Sequence, residues 1–450
     1  MVAVDPGKET FLSEMHRQTM SPKSANRARR SFLKTGLVGI LAAGLAPRFA
    51  PSALSGAGAP SNKLALGCIG VGTHGHEVNL MSFLQHNDCR VVAVCDVFQS
   101  RRARSKQVVD AHYGNADCAM FADFRELIAR ADIDAVVIST PDHWHTLMAL
   151  RALEAGKKVF CEKPTLTIAE GRLLADAVKR TGGFFATGLE DRSVIHYHKI
   201  AEAVRNGAIG RLERIVVGLP VGKAFPKQAP VGVPEGLDFK MWLGPAAQRD
   251  YVPTLTDPDV WRQIREFSGG TLTDWGAHLI DTANVANFAE DTGPVAVEGR
   301  GEIPPGCLNS VPLTFELNYT YANGITMVVK SDVPSIRCEG TDGWVGNRGW
   351  RGRLEASDLE IYRRVYEPAT SRIWPRWENE HRDFLDAIRG DRAPMYSAEA
   401  LHRLSTSMHI GAIAMELRRP VRWDPATESF IGDAAANTLK SREVNTSWEH

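Results

Sequence analysis

The chain has no excess of charge of either sign, and this absence limits its function first. Its 450 residues carry 53 Lys plus Arg and 53 Asp plus Glu. A formal net charge of zero gives no electrostatic basis for binding nucleic acid or an anionic membrane, and we expect neither as a partner. The length is too great for one compact core and predicts about two domains with additional segments.

Cysteine is also scarce, and none of the seven cysteines forms a C-x-x-C pair. The sequence therefore predicts neither a zinc site nor a redox motif. Cys68 and Cys95 fall inside apolar strand-like runs and are expected to be small core residues. A disulfide framework is not expected, and no internal repeat is visible.

The apolar run at residues 37–45 is too short to span a bilayer, which needs about 20 residues. It follows Arg29-Arg30 and leads into a stretch rich in Ala, Pro, Ser and Gly. This order predicts a twin-arginine secretory signal with its linker over residues 1–60, cleaved between Ala50 and Ser61. The alternatives are a membrane anchor or a disordered basic arm.

The predicted signal implies a periplasmic or otherwise exported protein with the twin-arginine export machinery as a partner and no stable membrane span after processing. Twin-arginine export carries proteins that have already folded. An exported enzyme cannot draw on cytoplasmic NAD. A cofactor would therefore be loaded before export and held tightly.

Strand-like and helix-like segments alternate over residues 61–188, which is typical of a doubly wound parallel sheet. The predicted strands are 64–69, 91–95, 135–138, 158–161 and 184–187. The predicted helices are 99–113, 123–130, 143–155 and 168–181.

The pattern changes over residues 189–450, which form the predicted second domain. Residues 313–321 alternate apolar and polar side chains, and Asn323-Gly324 precedes residues 325–329, which predicts a hairpin with a tight primed turn. This pattern favours an α+β domain with an antiparallel sheet. Further strands are predicted at 214–221 and 295–303, with late helices at 378–389 and 398–417.

A glycine-rich loop follows the first strand and opens a helix, and this context favours dinucleotide binding. Gly70, Gly72 and Gly75 allow a tight turn and close approach of pyrophosphate to the backbone. Asp96, about 20 residues on, suits a ribose 2′-hydroxyl and so favours NAD. Arg101 and Arg102 lie near enough to keep NADP possible. The alternative for the loop is a structural turn. The predicted cofactor contacts also include Thr73, His74, Thr140, Pro141, His143, Trp144, Glu162 and Lys163.

Asp274 and His278 lie four residues apart and are expected on one face of a helix. Lys163, at a strand end, can meet them across a cleft. Lys, Asp and His around one carbon atom are what proton removal from a carbinol needs. A metal site formed by Asp274, His278 and Asp281 is an alternative that we do not expect.

The chain resembles the Gfo/Idh/MocA oxidoreductases, named for glucose–fructose oxidoreductase and inositol dehydrogenase. The matching stretches are GVGTHG, CDV, STPDHWH, AGKKVFCEKP and GGTLTDWGAHLID, in the family's order. The resemblance implies an α/β protein with an N-terminal Rossmann domain and a C-terminal domain whose open, mostly antiparallel sheet often joins subunits. We therefore expect a homo-oligomer, a dimer or a tetramer.

The resemblance also implies that Lys163, Asp274 and His278 are catalytic. His278 would be the general base, oriented by Asp274, and Lys163 would hold the hydroxyl. A cis bond before Pro164 is expected from the family. The residues proposed to contact substrate, each of which can equally be packing, are Arg192, Tyr197, His198, Trp261, Arg262 and Trp275.

Three functions follow from these observations. The leading one is an exported oxidoreductase that moves a hydride between a sugar, polyol or glycoside carbinol and a tightly bound NAD. The first alternative is an NAD-dependent glycoside hydrolase or lyase that acts through a transient keto-sugar. The relatives of that type lack the lysine, so Lys163 favours simple redox chemistry. The third, a non-catalytic NAD-binding sensor, is disfavoured by the intact Lys163, Asp274 and His278.

Overall fold

The structure is a computed structural model that describes residues 62–445 and Trp448. The predicted signal, with Arg29-Arg30 and the cleavage region, lies outside these described residues. Within them, no helix has the length and apolar character needed to cross a membrane.

A six-stranded parallel sheet forms the first half of the described chain. The predicted parallel sheet is confirmed, but the short strand Ala119–Phe121 was not predicted. Its strand order is β3-β2-β1-β4-β5-β6, so the order reverses between β1 and β4, and ligands of such sheets bind outside the carboxyl ends at this reversal. The strands are β1 (Leu64–Ile69), β2 (Cys89–Cys95), β3 (Ala119–Phe121), β4 (Ala135–Ile138), β5 (Lys158–Glu162) and β6 (Phe185–Gly188).

The helices of this half follow the predicted alternation, and local caps explain their ends. The Thr167 hydroxyl accepts from the Glu170 amide at the start of one helix, and Gly182 ends it with a φ of 64°. A π-helical turn, Gly75–Leu80, follows the glycine loop and continues into Met81–Leu84. The other helices are Gln99–Tyr113, Phe124–Ile128, Asp142–Glu154 and Ile168–Thr181.

A nine-stranded sheet forms the second half, in the order β13-β12-β11-β7-β10-β9-β8-β14-β15. β7 and β10 pair in parallel and the other pairs are antiparallel, so the predicted mostly antiparallel sheet is confirmed. The strands are β7 (Leu212–Leu219), β8 (Pro294–Glu302), β9 (Thr314–Tyr321), β10 (Thr326–Ser331), β11 (Ser335–Gly340), β12 (Gly343–Arg348), β13 (Leu354–Ala356), β14 (Val421–Asp424) and β15 (Ser429–Phe430).

The hairpin between β9 and β10 is confirmed, but the predicted primed turn is wrong. The Gly324 amide donates to the Tyr321 carbonyl, and the Tyr321 amide donates to the Ile325 carbonyl. A two-residue primed turn at Asn323-Gly324 needs a positive φ at Asn323, whereas only Gly324, at 84°, has one. The turn therefore spans Tyr321 to Gly324, with the glycine in the left-handed position that follows it.

The nine-stranded sheet is packed against helices on its buried face, where Leu317, Tyr319 and Met327 are fully buried. The helix Ala398–Leu417 contacts β8 and also the helix Ile168–Thr181 of the first half. The described residues therefore form one compact unit, and the predicted domain limits stay predictions. The helices of this half are Ile195–Arg205, Phe239–Leu243, Pro258–Trp261, Thr271–Asp274, Gly276–Ala286, Glu360–Arg363, Glu380–Gly390, Ala398–Leu417 and Ala434–Thr438.

Candidate active site

Lys163 follows β5 at the carboxyl edge of the parallel sheet. Its Nζ donates to Asp274 Oδ1 at 2.8 Å and to the Asp274 backbone carbonyl at 3.1 Å. The bond between Lys163 and Pro164 is cis, as expected. Burial acts to lower the pKa of Lys163, but the charge and hydrogen bond of Asp274 outweigh it and hold that pKa above its usual value. Lys163 is therefore protonated, and its ammonium group contacts a residue of the second half of the chain.

Asp274 is the anionic partner of Lys163 and ends the helix Thr271–Asp274. Its Oδ2 lies 3.5 Å from Arg262 Nε. Burial acts to raise the pKa of Asp274, but the charges of Lys163 and Arg262 hold it well below its usual range. The structure thus brings two predicted site residues together and adds Arg262, a predicted substrate contact, to the same ion cluster.

His278 lies one turn further along, in the helix Gly276–Ala286, and its partner is not the predicted one. His278 Nδ1 is 2.8 Å from Asp191 Oδ2, and Asp274 faces Lys163 instead. The expectation that Asp274 orients His278 is therefore wrong. Burial acts to lower the pKa of His278, but Asp191 and Glu190 outweigh it and raise that pKa above its usual value.

Sequence reasoning missed the role of Glu190 and Asp191, which lie in none of the stretches that match the family. Glu190 Oε2 is 3.8 Å from His278 Nδ1, and Arg351 Nη2 donates to Glu190 Oε1 at 2.7 Å. One ligand atom from each of Glu190, Asp191 and His278 lies within 4.8 Å of the others, which is close enough for a metal ion. Because Arg351 and the imidazole already bind these carboxylates, we describe the group as a hydrogen-bonded cluster.

Two tryptophans border the imidazole. The ring centroids of Trp350 and His278 are 4.7 Å apart, and those of Trp275 and His278 are 6.5 Å apart. Trp275 was a predicted substrate contact. Trp350 was not predicted, because it lies in the loop after β12 and belongs to no recognisable motif. Both rings are partly exposed, and aromatic faces of this kind can stack against a sugar ring.

Three other predicted substrate contacts lie away from an open cleft. Arg192, Tyr197 and His198 line a cavity of about 10 Å³, which has room for about one water. Arg192 Nη2 and Nε donate to the two oxygens of Asp281, at 2.9 and 3.1 Å. Trp261 is buried in an apolar cluster. These placements favour the packing alternative, and the substrate contacts stay predictions.

The glycine loop has the shape that a dinucleotide needs. A Cβ on Gly75 would lie 1.9 Å from the Gly70 carbonyl oxygen, and Gly70 itself has a φ of 81°. A Cβ on Gly72 would meet nothing nearer than an Arg101 guanidinium nitrogen at 3.4 Å. Two glycines therefore close the turn, and the middle one leaves the backbone open to a ligand. Thr73 and His74, next in the loop, are exposed.

Asp96 directly follows β2 and binds the backbone of the glycine loop. Its Oδ2 accepts from the Val71 amide at 2.9 Å, and its Oδ1 accepts from the Phe98 amide at 2.8 Å. Burial raises the pKa of Asp96 above its usual value. Arg101 lies over the Phe98 ring, with its guanidinium carbon 3.8 Å from the ring centroid. The predicted ribose contact of Asp96 stays a prediction.

The segment after β4 is more buried than its predicted role suggests. His143 Nε2 and Trp144 Nε1 both lie about 3 Å from the Trp242 carbonyl oxygen. Burial lowers the pKa of His143 to about 3, so this imidazole is neutral. Thr140 and Pro141 stay at the sheet edge, where the Thr140 amide passes 2.8 Å from the position of a Cβ on Gly70.

A polar network, buried except for His74, links the glycine loop to the segment containing Lys163. Glu162 Oε1 lies 3.0 Å from His74 Nε2 and accepts from Asn79 Nδ2 at 2.9 Å. Burial acts to raise the pKa of Glu162, but His74, Asn79 and Lys163 lower it to about 2. Asn79 Oδ1 in turn lies 2.8 Å from His381 Nε2 in the second half. Asn79 and His381 had no recognisable motif.

Comparison with known proteins agrees with both halves of this arrangement. Residues 64–189 match a family model described as an oxidoreductase family, NAD-binding Rossmann fold. Residues 220–450 match the model of the same family's C-terminal alpha/beta domain.

Individual relatives match over part of their length. D-glucoside 3-dehydrogenase of Escherichia coli K12 is 30% identical over 153 residues, which cover 34% of this chain and 42% of that protein. Glycosyl hydrolase family 109 protein 2 of Shewanella sp. ANA-3 is 34% identical over 175 residues, 34% of this chain and 37% of that protein. The matches therefore span less than half of these curated relatives.

Solved structures share the fold. The aldose-aldose oxidoreductase of Caulobacter crescentus, complexed with glycerol, has a TM-score of 0.58 at 20% identity, over 80% of this chain and 99% of that one. The WlbA dehydrogenase of Bordetella pertussis, in complex with NADH and UDP-GlcNAcA, has a TM-score of 0.62 at 16% identity, over the same 80% and 99%.

Proposed function

The chain belongs to the Gfo/Idh/MocA oxidoreductase family, and on that premise we propose that it oxidises or reduces a carbinol carbon of a sugar, polyol or glycoside with a tightly held NAD. The observation that carries the proposal is the Lys163–Asp274 ion pair, 2.8 Å long, at the carboxyl edge of the parallel sheet and beside His278. A buried cation and an imidazole at this edge are the groups that a reacting hydroxyl requires.

The residues present fit the dinucleotide. A Cβ on Gly72 would fill the space through which a pyrophosphate approaches the loop, and the positive φ of Gly70 is open to glycine. Asp96 would face the ribose, and the loop from Thr73 to Gly75 would hold the phosphates. When bound, the nicotinamide supplies the acceptor or donor of the hydride.

The protein's own groups handle the hydroxyl and its proton. Lys163 donates to the hydroxyl oxygen and stabilises the negative charge that develops there. His278, whose Nδ1 is occupied by Asp191, takes the hydroxyl proton at Nε2. Asp274 keeps Lys163 charged and in place, since it holds Nζ through both its carboxylate and its backbone carbonyl. Trp275 and Trp350 offer faces for the sugar ring.

The purified protein should contain nicotinamide dinucleotide, mainly NAD(H), because the chain has an NAD-binding domain and Asp96 disfavours a 2′-phosphate. Mass spectrometry of the molecule released by denaturation tests this directly. NADP alone, or no dinucleotide from freshly folded protein, would contradict it.

Asp96→Ala should weaken the preference for NAD over NADP. The ratio of the two affinities, measured on protein stripped of cofactor, is the useful quantity, because the variant also loses two hydrogen bonds that hold the loop, each worth about 1.5–3 kcal/mol. An unchanged ratio would mean that Asp96 serves the loop alone.

We also propose that the protein is exported through the twin-arginine route to the periplasm or beyond. Replacing Arg29 and Arg30 together by Lys should trap the precursor in the cytoplasm with its folded domains intact. Fractionation of cells producing each form tests this, with bound dinucleotide in the trapped precursor as the measure of folding. Unchanged export of the double variant would refute the proposed route.

A homo-oligomer, dimer or tetramer, joined through the open sheet is a further part of the proposal. The support is the outer face of β9, where Glu316, Asn318 and Thr320 are exposed while the alternate residues are buried.

The second candidate function, an NAD-dependent glycoside hydrolase or lyase, is favoured by the similarity to a glycosyl hydrolase family 109 protein. Oxidising a sugar at C3 acidifies the C2 proton and permits elimination of the glycosidic bond. The presence of Lys163 favours simple redox chemistry over hydrolysis. Release of aglycone from a glycoside without net NADH would establish the hydrolytic function instead.

A further inference from the structure

Asp191 and His278 form a buried pair across two separate segments of the chain. Asp191 follows β6 by three residues, whereas His278 lies 87 residues later in the helix Gly276–Ala286. The distance between Nδ1 and Oδ2 is 2.8 Å, and the Asp191 side chain is fully buried while that of His278 is 14% exposed. Nδ1 of His278 is therefore bound to a buried group, while part of the imidazole is exposed to solvent.

Neither of the other nearby carboxylates can take the place of Asp191. Asp274 holds Lys163 Nζ at 2.8 Å. Glu190 Oε2 lies 3.8 Å from the same His278 nitrogen, beyond hydrogen-bonding distance, and its Oε1 is bound by Arg351. Asp191 alone therefore makes the hydrogen bond.

This hydrogen bond selects the form of the imidazole. Burial raises the pKa of Asp191 to about 6, so its carboxylate is ionised above that pH. An ionised carboxylate only accepts hydrogen bonds, so Nδ1 then carries the hydrogen. In neutral histidine the other nitrogen, Nε2, then carries the lone pair. A general base needs that lone pair directed at the substrate. The opposite form would place the lone pair against the buried carboxylate and leave a donor toward the substrate.

We propose that Asp191 is the positioning residue that sets the tautomer of His278 and so makes its Nε2 the proton acceptor. The consequence for turnover rests on the function proposed above, but the tautomer does not. The charged and titratable groups that interact with the pair, from its own and neighbouring segments, are Lys163, Glu190, Tyr197, Asp274, Asp281, Arg351 and Tyr396.

The test is nitrogen NMR of histidine-labelled, cofactor-bound protein, with the His278 signals assigned by their loss in His278→Gln. The native protein should show hydrogen on Nδ1. Asp191→Asn should show a mixed or reversed tautomer. It should also slow single-turnover cofactor reduction by at least about 10²-fold, since replacing the corresponding aspartate of a serine protease by asparagine lowers kcat by about 10⁴.

Glu190→Gln is the matched control, because it removes a carboxylate near the same nitrogen that makes no hydrogen bond to it. Its His278 tautomer should stay native. Asp191→Asn should also move the lower limb of the pH–rate profile to lower pH, because the Asp191 charge raises the pKa of His278. If Asp191→Asn fails to fold, Asp191→Ala serves in its place, and it should also show a mixed tautomer because no carboxylate then accepts from Nδ1.

An unchanged tautomer in Asp191→Asn, or an equal change in Glu190→Gln, would overturn the proposal. A protein that oxidises no carbinol would defeat the proposed function but leave the NMR result standing, so the two failures are distinguishable.

Discussion

His278→Ala and Lys163→Ala should each slow the single-turnover reduction of bound cofactor by about 10²–10⁴-fold, the usual contribution of a general acid–base group. His278→Ala removes the proposed proton acceptor. Lys163→Ala removes the cation that is proposed to hold the hydroxyl, and it leaves the partly buried Asp274 without its 2.8 Å partner. Absorbance of NADH after mixing with a sugar measures both losses, and single turnovers avoid limitation by cofactor re-oxidation.

Matched surface variants separate these losses from general damage. His112 and Lys179 are exposed on helices of the parallel-sheet domain, and their replacement by Ala should leave the rate unchanged. Cofactor content, measured after denaturation, should be native in all four variants. A loss below tenfold for His278→Ala or Lys163→Ala, with full cofactor content, would mean that its role is misassigned.

Gly75→Ala should destabilise the folded protein, whereas Gly72→Ala should spare the fold and abolish cofactor binding. A Cβ on Gly75 would lie 1.9 Å from the Gly70 carbonyl oxygen, so the backbone must move. Overpacking costs about 1–3 kcal/mol, and a clash with backbone belongs at or above the upper end of that range. On Gly72 the nearest atom is a flexible Arg101 nitrogen at 3.4 Å, so stability should change by less than about 0.5 kcal/mol.

Thermal unfolding of cofactor-stripped protein measures the first effect, and dinucleotide content measures the second. The two glycines serve as controls for each other, since each receives one methyl group in the same loop. Native dinucleotide content in Gly72→Ala would show that the loop is a structural turn and not the pyrophosphate site.

The sequence predicted the elements of the parallel sheet well because their ends carry local chemistry. The Thr167 cap and Gly182 bound one helix, and the predicted range 168–181 matches it. The meeting of Lys163 with Asp274 was predictable, because their motifs lie at a strand end and a helix end that the fold brings together. The catalytic roles of Lys163, Asp274 and His278 stay predictions.

The pairing within the site was not predictable, because it depends on side-chain direction over long sequence separations. Asp274 turns to Lys163, 111 residues away, and His278 turns to Asp191. His143 and Trp144 follow β4 as expected, yet both rings are buried and contact the Trp242 carbonyl oxygen. The spacing of residues in the sequence does not indicate which side chains pair.

The loop that carries Lys163 is held from the far end of the chain, and this sets the order of events during synthesis. The Ser405 hydroxyl accepts from the Thr165 amide at 3.3 Å, and His409 Nε2 lies 2.8 Å from the Thr165 carbonyl oxygen. These partners are 240 and 244 residues later in the chain. A nascent chain that has not yet emerged beyond the helix Ala398–Leu417 lacks them. We therefore expect the half of the chain with the parallel sheet to reach its final form, and to retain a dinucleotide, only after that helix has emerged from the ribosome.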